Sequence, residues 1–342
     1  MRFEVLNPDG RDGEQDFSKG NLHPRALGHP PINYHAYAAC SFGAFHKSAA
    51  TVPKGAVLVL LRKRNLRHVL SSIELLRKRG CIVFISLKES GAHQVAETLG
   101  DVTRWELFCQ ICSNSDGALS STSELVSLYS AAGSKNSFFI PTPYPVDLPL
   151  WDFGIPLEAR RGIFVGTREF GVPSRNHLEA VALANDLSCE LKIPIAVLNS
   201  EGRRGGMILK TFQRRNLLFY IIEAPLAYKD YLELMRIHRV VWQLDSSAVP
   251  GQVAGDALLC RMPCIGGNGA IDRLAFPQLS SPLARTELLS SARLLLTDDQ
   301  AWRKAVESSQ SIASTTISFQ IVSERLKKIN STTKSFLTSV EE

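Results

Sequence analysis

Apolar positions along the chain fall into short unbroken runs, separated by longer stretches in which they recur every three or four residues. Runs of the first kind predict parallel strands covered on both faces, and stretches of the second predict the covering helices. The clearest unit is Ala56–Leu61 (AVLVLL), followed by Leu66, Val69, Leu70, Ile73 and Leu76 at helical spacing, a stop at Gly80, and a second run at 82–86 (IVFIS). Residues 1–6 alternate as a first strand and deliver into Asn7-Pro8-Asp9-Gly10-Arg11-Asp12-Gly13; residues 33–45, rich in alanine and aromatics, predict a helix. Further strands are expected at 162–165, 193–199, 217–222 and 240–242. Helices are expected from Asn176, at 252–260, 288–296 and 302–306, and as an amphipathic last element at 318–336.

Polar chemistry gathers where strands end. In 239–277 the run Val240-Val241-Trp242 leads to a turn with Ser246, Ser247, Pro250 and Gly251, then a small-residue helix, then Pro263-Cys264-Ile265 emptying into Gly266-Gly267-Asn268-Gly269. Such a unit exposes backbone N–H groups at a helix start and suits an anion, most often a nucleotide phosphate. In 161–177 a strand runs into Gly166 and a basic loop carrying Arg168 and Arg175. An arginine fork grips two phosphate oxygens at once, which favours phosphate binding by at least one of them; the alternative is that Arg175 merely pairs with a helix acid. The glycines of the 7–13 loop, Gly13 among them, allow close approach to a ligand and also suit a solvated turn. Glu201-Gly202-Arg203-Arg204-Gly205-Gly206 predicts a flexible basic loop.

The order of these features resembles the retaining group 1 family of GT-B glycosyltransferases. Gly251 stands where that family has its turn glycine, Asp256-Ala257 where it has Glu-Ala, Met262-Pro263-Cys264 where it has x-Pro-Val, and Gly266-Gly267 where it has a Gly-Gly loop. Within 115–147, Ser123-Glu124, Ala132-Gly133, Pro141 and Pro145-Val146-Asp147 follow the family's strand–helix–strand ending in Ile-Pro-x-Gly-Val-Asp. Two departures stand out: the family's second glutamate is the shorter Asp256, and its first falls on Ala248.

The resemblance implies an α/β fold of two Rossmann-like domains facing across a cleft. It implies an acceptor-binding domain at 1–150, a nucleotide-sugar domain at 151–315, a linker near 146–161 and a final helix in 316–342 that crosses back. It further implies that Asp256 meets the ribose, and that Gly166, Thr167, Arg168, Arg175, Ser247, Val249, Pro250, Gly251 and Gln252 hold sugar and phosphates. Gly13 would line the donor from the first domain, and Tyr228 would cover the base unless it is only packing. Glu89, just past the strand at 82–86, stands nearest the acceptor-facing position, with Lys88 or His93 in reserve. The implied catalytic set is Glu89, Arg168 and Asp256. The implied activity is retaining hexosyl transfer from a nucleotide sugar, UDP-glucose as the best guess, to a saccharide or lipid-linked saccharide in polysaccharide or glycoconjugate synthesis, with no metal and no resident cofactor. With Ala248 in place of the first acid, the rival is a GT-B partner subunit that binds without turnover.

Composition trims the alternatives. A length of 342 residues fits two domains, and 44% hydrophobic with 21% charged residues supplies packed cores rather than disorder. A net charge of +6 is too small to argue for nucleic acid. Seven cysteines, an odd number, suggest a reducing compartment, and Cys109-x-x-Cys112 lacks a second pair at zinc spacing. With no signal-like or membrane-length apolar run, the expectation is a cytoplasmic protein. Arg62, Lys63, Arg64 and Arg67, with Arg77, Lys78 and Arg79, form either a solvated helix rim or a contact with the inner membrane face. No first strand leads into Gly-x-Gly-x-x-Gly, which argues against a dehydrogenase.

Overall fold

The computed structural model describes residues 2–20, 22–26, 28–281 and 283–340, with side chains as far as Thr333. Met1, Glu341 and Glu342, at the ends of the expected first and last segments, lie outside the described residues. The chain divides into two compact units: Met1–Asp147 with Ala248–Pro250 and Thr316–Glu342, and Leu148–Ser247 with Gly251–Thr315.

Among the described residues the first unit holds seven strands: β1 (Phe3–Leu6), β2 (Gln15–Asp16), β3 (Ala44–His46), β4 (Ala56–Leu61), β5 (Ile82–Leu87), β6 (Gly117–Ser120) and β7 (Ser137–Phe139). Their order is β2-β3-β1-β4-β5-β6-β7, parallel except where β2 meets β3. Every residue of β4 and β5 is buried, as unbroken apolar runs require. The helices Leu66–Lys78 and Val102–Asn114 pack Val69, Ile73, Leu76, Phe108 and Ile111 onto Val57, Val59, Val83 and Ile85. Each such side chain contributes about 1.5–3 kcal/mol by leaving water. Cys112 is buried in that same core with Cys109 against it, so both act as small apolar residues. The last helix, Phe319–Val340, belongs to this unit, and Asp147 caps it by accepting from the N–H groups of Phe319 (3.1 Å) and Gln320 (2.9 Å).

The second unit holds β8 (Ile163–Val165), β9 (Ile195–Asn199), β10 (Phe219–Glu223), β11 (Val240–Trp242) and β12 (Cys264–Ile265). All are parallel in the order β10-β9-β8-β11-β12, which counted from the unit's own first strand is 3-2-1-4-5. The connection reverses direction between β8 and β11, and ligands of such sheets bind at the strand ends flanking that point. Gly162, at φ +67°, feeds β8, and an added Cβ would lie 1.8 Å from the Pro194 carbonyl oxygen. Arg160 is buried just before it, donating to the carbonyls of Arg236 (2.8 Å) and Cys260 (2.8 Å) with its guanidinium 5.2 Å from the centre of the Trp302 ring.

Two expected elements differ. The helix expected over 33–45 stops at Ala39, and Ala44–His46 pairs with β1 as β3, because Phe42 (φ 57°) and Gly43 turn the chain. The expected basic loop at 201–206 is instead the start of the helix Gly202–Gln213. Gly205 and Gly206 suit that helix for a packing reason: a Cβ at Gly205 would lie 2.4 Å from Asn199 Oδ1 at the end of β9.

Candidate functional site

In the second unit, the loops after β8 and β11 and the turns before Gln252–Leu259 and Ala270–Ala275 carry most of the expected donor residues. β8 ends into Gly166, where a Cβ would lie 2.4 Å from Val253 Cγ1, so glycine is needed for this close packing. Thr167 is buried and its Oγ1 lies 3.0 Å from His177 Nδ1. Burial lowers the His177 pKa to about 4, which keeps that imidazole neutral, and its Nε2 has no hydrogen-bond partner. Glu201 accepts from the N–H groups of Phe170 (2.7 Å) and Gly171 (3.0 Å), and Ser200 donates to the Arg168 carbonyl (2.6 Å), so β9 pins the β8 loop.

The two arginines part company here. Arg168 has a half-exposed side chain whose ion pair is the 3.9 Å approach to Glu169. Arg175 is committed to Asp245, a carboxylate 3% exposed at the end of β11, with Glu169 3.6 Å away. Asp245 also accepts from the Ser247 hydroxyl and N–H. The pairing with an acid thus holds Arg175, although the acid sits on a strand end rather than a helix.

Gly251 turns the chain into Gln252–Leu259 at φ +89°, a left-handed conformation that glycine adopts without strain. One turn on, Asp256 is 2% exposed and accepts from the Tyr228 hydroxyl at 2.5 Å. Tyr228 starts its own helix, between the rings of Trp151 (6.0 Å) and Tyr231 (6.3 Å). Asp256 therefore sits behind an aromatic hydroxyl rather than open to solvent. Val249 and Pro250, both half-buried, group with the first unit.

In the first unit, the corresponding strand ends gather Asp12 and Gly13 after β1, Arg62 after β4, and Lys88 and Glu89 after β5. Lys88 forms an ion pair with Asp12. Burial pushes the Asp12 carboxyl up, but the Lys88 hydrogen bond and charge reverse this and leave it below the ordinary value. Gly13 is exposed, with its carbonyl 3.1 Å from His35 Nε2. His35 stacks between His29 (3.8 Å) and Phe45 (3.7 Å), and burial, then His29, lowers its pKa to about 3. Glu89 pairs with Arg62 at 3.3 Å, while His93 is exposed. Other members of the basic cluster are also engaged: Lys63 with Glu97 (3.2 Å), Arg77 with the Asn114 carbonyl (2.9 Å) and Arg79 with the Ala49 carbonyl (2.8 Å). Among the described residues, no helix is long and apolar enough to cross a membrane, and no three His, Cys, Asp or Glu side chains group as metal ligands.

Solved structures share this architecture. A glycosyltransferase from Rickettsia africae ESF-5 superposes with a TM-score of 0.62 at 12% identity, over 97% of this chain and 98% of that one. A structure described as trehalose-6-phosphate from E. coli bound with UDP-2-fluoro glucose gives 0.59 at 14% identity, over 80% and 73%. A trehalose-6-phosphate synthase studied with bisubstrate glycomimetics, for glycosyl transfer with retention, gives 0.60 at 12%, over 97% and 99%. The chain has the GT-B fold. No protein-family model and no curated protein sequence matches it.

Within this GT-B chain, two residues of the site belong to no recognisable motif. Gln243 and Asp272 meet through Gln243 Nε2 and Asp272 Oδ1 (2.8 Å), beside the glycine loop. Asp272 is 2% exposed, and burial, then the nearby Asp245, pushes its carboxyl up to about 7. A lone Gln and a lone Asp 29 positions apart carry no signal until β11 and β12 are paired.

Proposed function

We propose that the chain is a glycosyltransferase that moves a hexose, with UDP-glucose the best candidate donor, to a saccharide or lipid-linked saccharide in glycoconjugate or polysaccharide synthesis. The observation that supports this most is the placement of the loop 166–168, the Gly251 turn and the glycines 266–269 at the strand ends of a 3-2-1-4-5 sheet. This is where an α/β sheet offers backbone N–H groups to a diphosphate.

In the proposed reaction the bond between the sugar's anomeric carbon and the β-phosphate oxygen breaks. A bond to the acceptor hydroxyl oxygen forms on the same face, with retention, and that hydroxyl's proton passes to the departing phosphate. Arg168 stabilises the charge that develops on the leaving diphosphate, without a metal. Asp256 and the Tyr228 hydroxyl together meet the ribose hydroxyls; the phenol extends the reach of a carboxyl one methylene shorter than glutamate. Arg175 orients Asp245, and Ser247 and Asp245 take over the sugar contacts that an acid at Ala248 would make. Glu89 lies at the first unit's strand ends, the acceptor side of the proposal, where Arg62 sets its carboxylate, and Gly13 of the same unit lines the donor. The place of action is the cytoplasm.

A panel of UDP-, GDP- and ADP-sugars read by thermal shift tests the donor, with stabilisation by UDP-glucose expected. No shift with any nucleotide would sink the reading. The second reading, a binding subunit without turnover, is favoured by Ala248 and by the commitment of Arg175 to Asp245. Donor binding with no release of nucleoside diphosphate, in the presence of broad acceptor mixtures, would select it.

A further inference from the structure

Three glycines converge on one carboxyl. A Cβ added at Gly267 would lie 2.0 Å from Asp272 Oδ1, one at Gly269 would lie 2.6 Å from Oδ2, and one at Gly251 would lie 2.9 Å from Oδ2. The glycines also meet each other: a Cβ at Gly269 would lie 2.5 Å from the Cα of Gly251. Asp272 thus stands between the turn that opens Gln252–Leu259 and the loop that follows β12. Its Oδ1 accepts from Gln243 Nε2 at 2.8 Å and lies 3.8 Å from the Cys264 sulfur.

We propose that Asp272 is a positioning residue for the donor diphosphate, setting the Gly251 turn and the 266–269 loop, and that donor binding selects its neutral form. The inference rests on the nucleotide-sugar reading above. The groups facing the carboxyl from each neighbouring element are few. They are the Asp245 carboxylate beyond β11, the Cys264 thiol on β12, the Gln243 amide and, at the start of Ala270–Ala275, the backbone N–H groups of Gly269 and Asp272, which draw the pKa down against burial and Asp245; the Asp256 carboxylate acts on the same thiol. Asp245 is already occupied by Arg175. No cation among these side chains offsets an ionised Asp272, and a diphosphate beside it adds further negative charge close to a carboxyl that is 2% exposed. Burial and Asp245 hold the carboxyl near neutrality, at about 7, so the ordinary pH range spans both forms.

The test is UDP affinity by calorimetry from pH 6 to pH 8.5, for the wild type and D272N. The ligand's own titration is common to both proteins and cancels in the comparison. The wild type is expected to lose about tenfold more affinity across this range than D272N, which keeps the shape of the neutral acid and binds as the wild type does at pH 6. D272A, which removes the post, is expected to bind at least tenfold more weakly at every pH. UDP binding with superimposable profiles for the wild type and D272N overturns this inference alone. No UDP binding by the wild type overturns the nucleotide-sugar reading and this inference with it. If D272N fails to fold, the aspartate carboxyl ¹³C signals of the wild type replace it. One midpoint near neutrality that rises when UDP is added supports the proposal, and no such shift overturns it.

Discussion

Arg168→Ala and Arg175→Ala separate the two cations that the sequence treats alike. Arg168 has a half-exposed side chain and an ion pair at 3.9 Å, a geometry that contributes at most about 1 kcal/mol to folding. Its removal is therefore expected to leave stability within that margin. If it grips a phosphate through charge-assisted hydrogen bonds, the loss of UDP affinity is about 1.5–3 kcal/mol, or roughly 10- to 150-fold. Arg175 is the reverse case. It pairs with Asp245, whose side chain is only 4% exposed, and removing it strands a buried carboxylate at a cost of about 3–5 kcal/mol. Calorimetric UDP titration and urea denaturation of both variants read the two quantities independently. An Arg168→Ala protein with wild-type UDP affinity, or an Arg175→Ala protein with wild-type stability, would refute the assignment of roles.

Tyr228→Phe takes one donor from the buried Asp256 and is expected to weaken UDP binding by about 1–3 kcal/mol, while the same change at Tyr231 leaves that hydrogen bond intact. Asp147→Ala removes the carboxylate that receives two N–H groups at the start of the last helix, with an expected loss of about 1–2 kcal/mol in urea denaturation. Gly162→Ala forces a Cβ to within 1.8 Å of a backbone oxygen at φ +67°, and a loss above about 2 kcal/mol is expected. On the acid side, His35, His177 and His238 are held below the ordinary histidine value, to about 3, 4 and 4, chiefly by burial. The unfolded chain then takes up protons that the folded chain refuses, so these residues make stability fall as pH drops from about 6.5 towards 4. Replacing His238 by Gln should make that fall shallower by about one proton in a pH series of denaturation curves.

The centres of both sheets were legible because β4, β8 and β11 are apolar without interruption. Ala56–Leu61 and Val240-Val241-Trp242 have their expected bounds, and the helix expected from Asn176 is His177–Leu191. Hydrophobic pattern cannot show a glycine used for packing rather than flexibility, which is why the start of Gly202–Gln213 reads as a loop. Ala44–His46 reads as the end of a helix because three residues are too few for an alternating pattern to register. The glycine turns of the second unit were visible as a sequence order. The carboxyl they surround was not, since Asp272 acquires its partners only when β11 and β12 lie side by side. The same limit applies to Asp147, whose place in a Pro-Val-Asp ending gave no hint that it caps a helix 172 residues later.

The central claim is that the strand ends of the second sheet hold a nucleotide-sugar donor. The most direct measurement is a crystal structure of the protein soaked with UDP. The account predicts the β-phosphate at the Gly251 turn within hydrogen-bond reach of Arg168, and the ribose at Asp256 and Tyr228. UDP bound elsewhere, or a soaked crystal with that site empty, would contradict it.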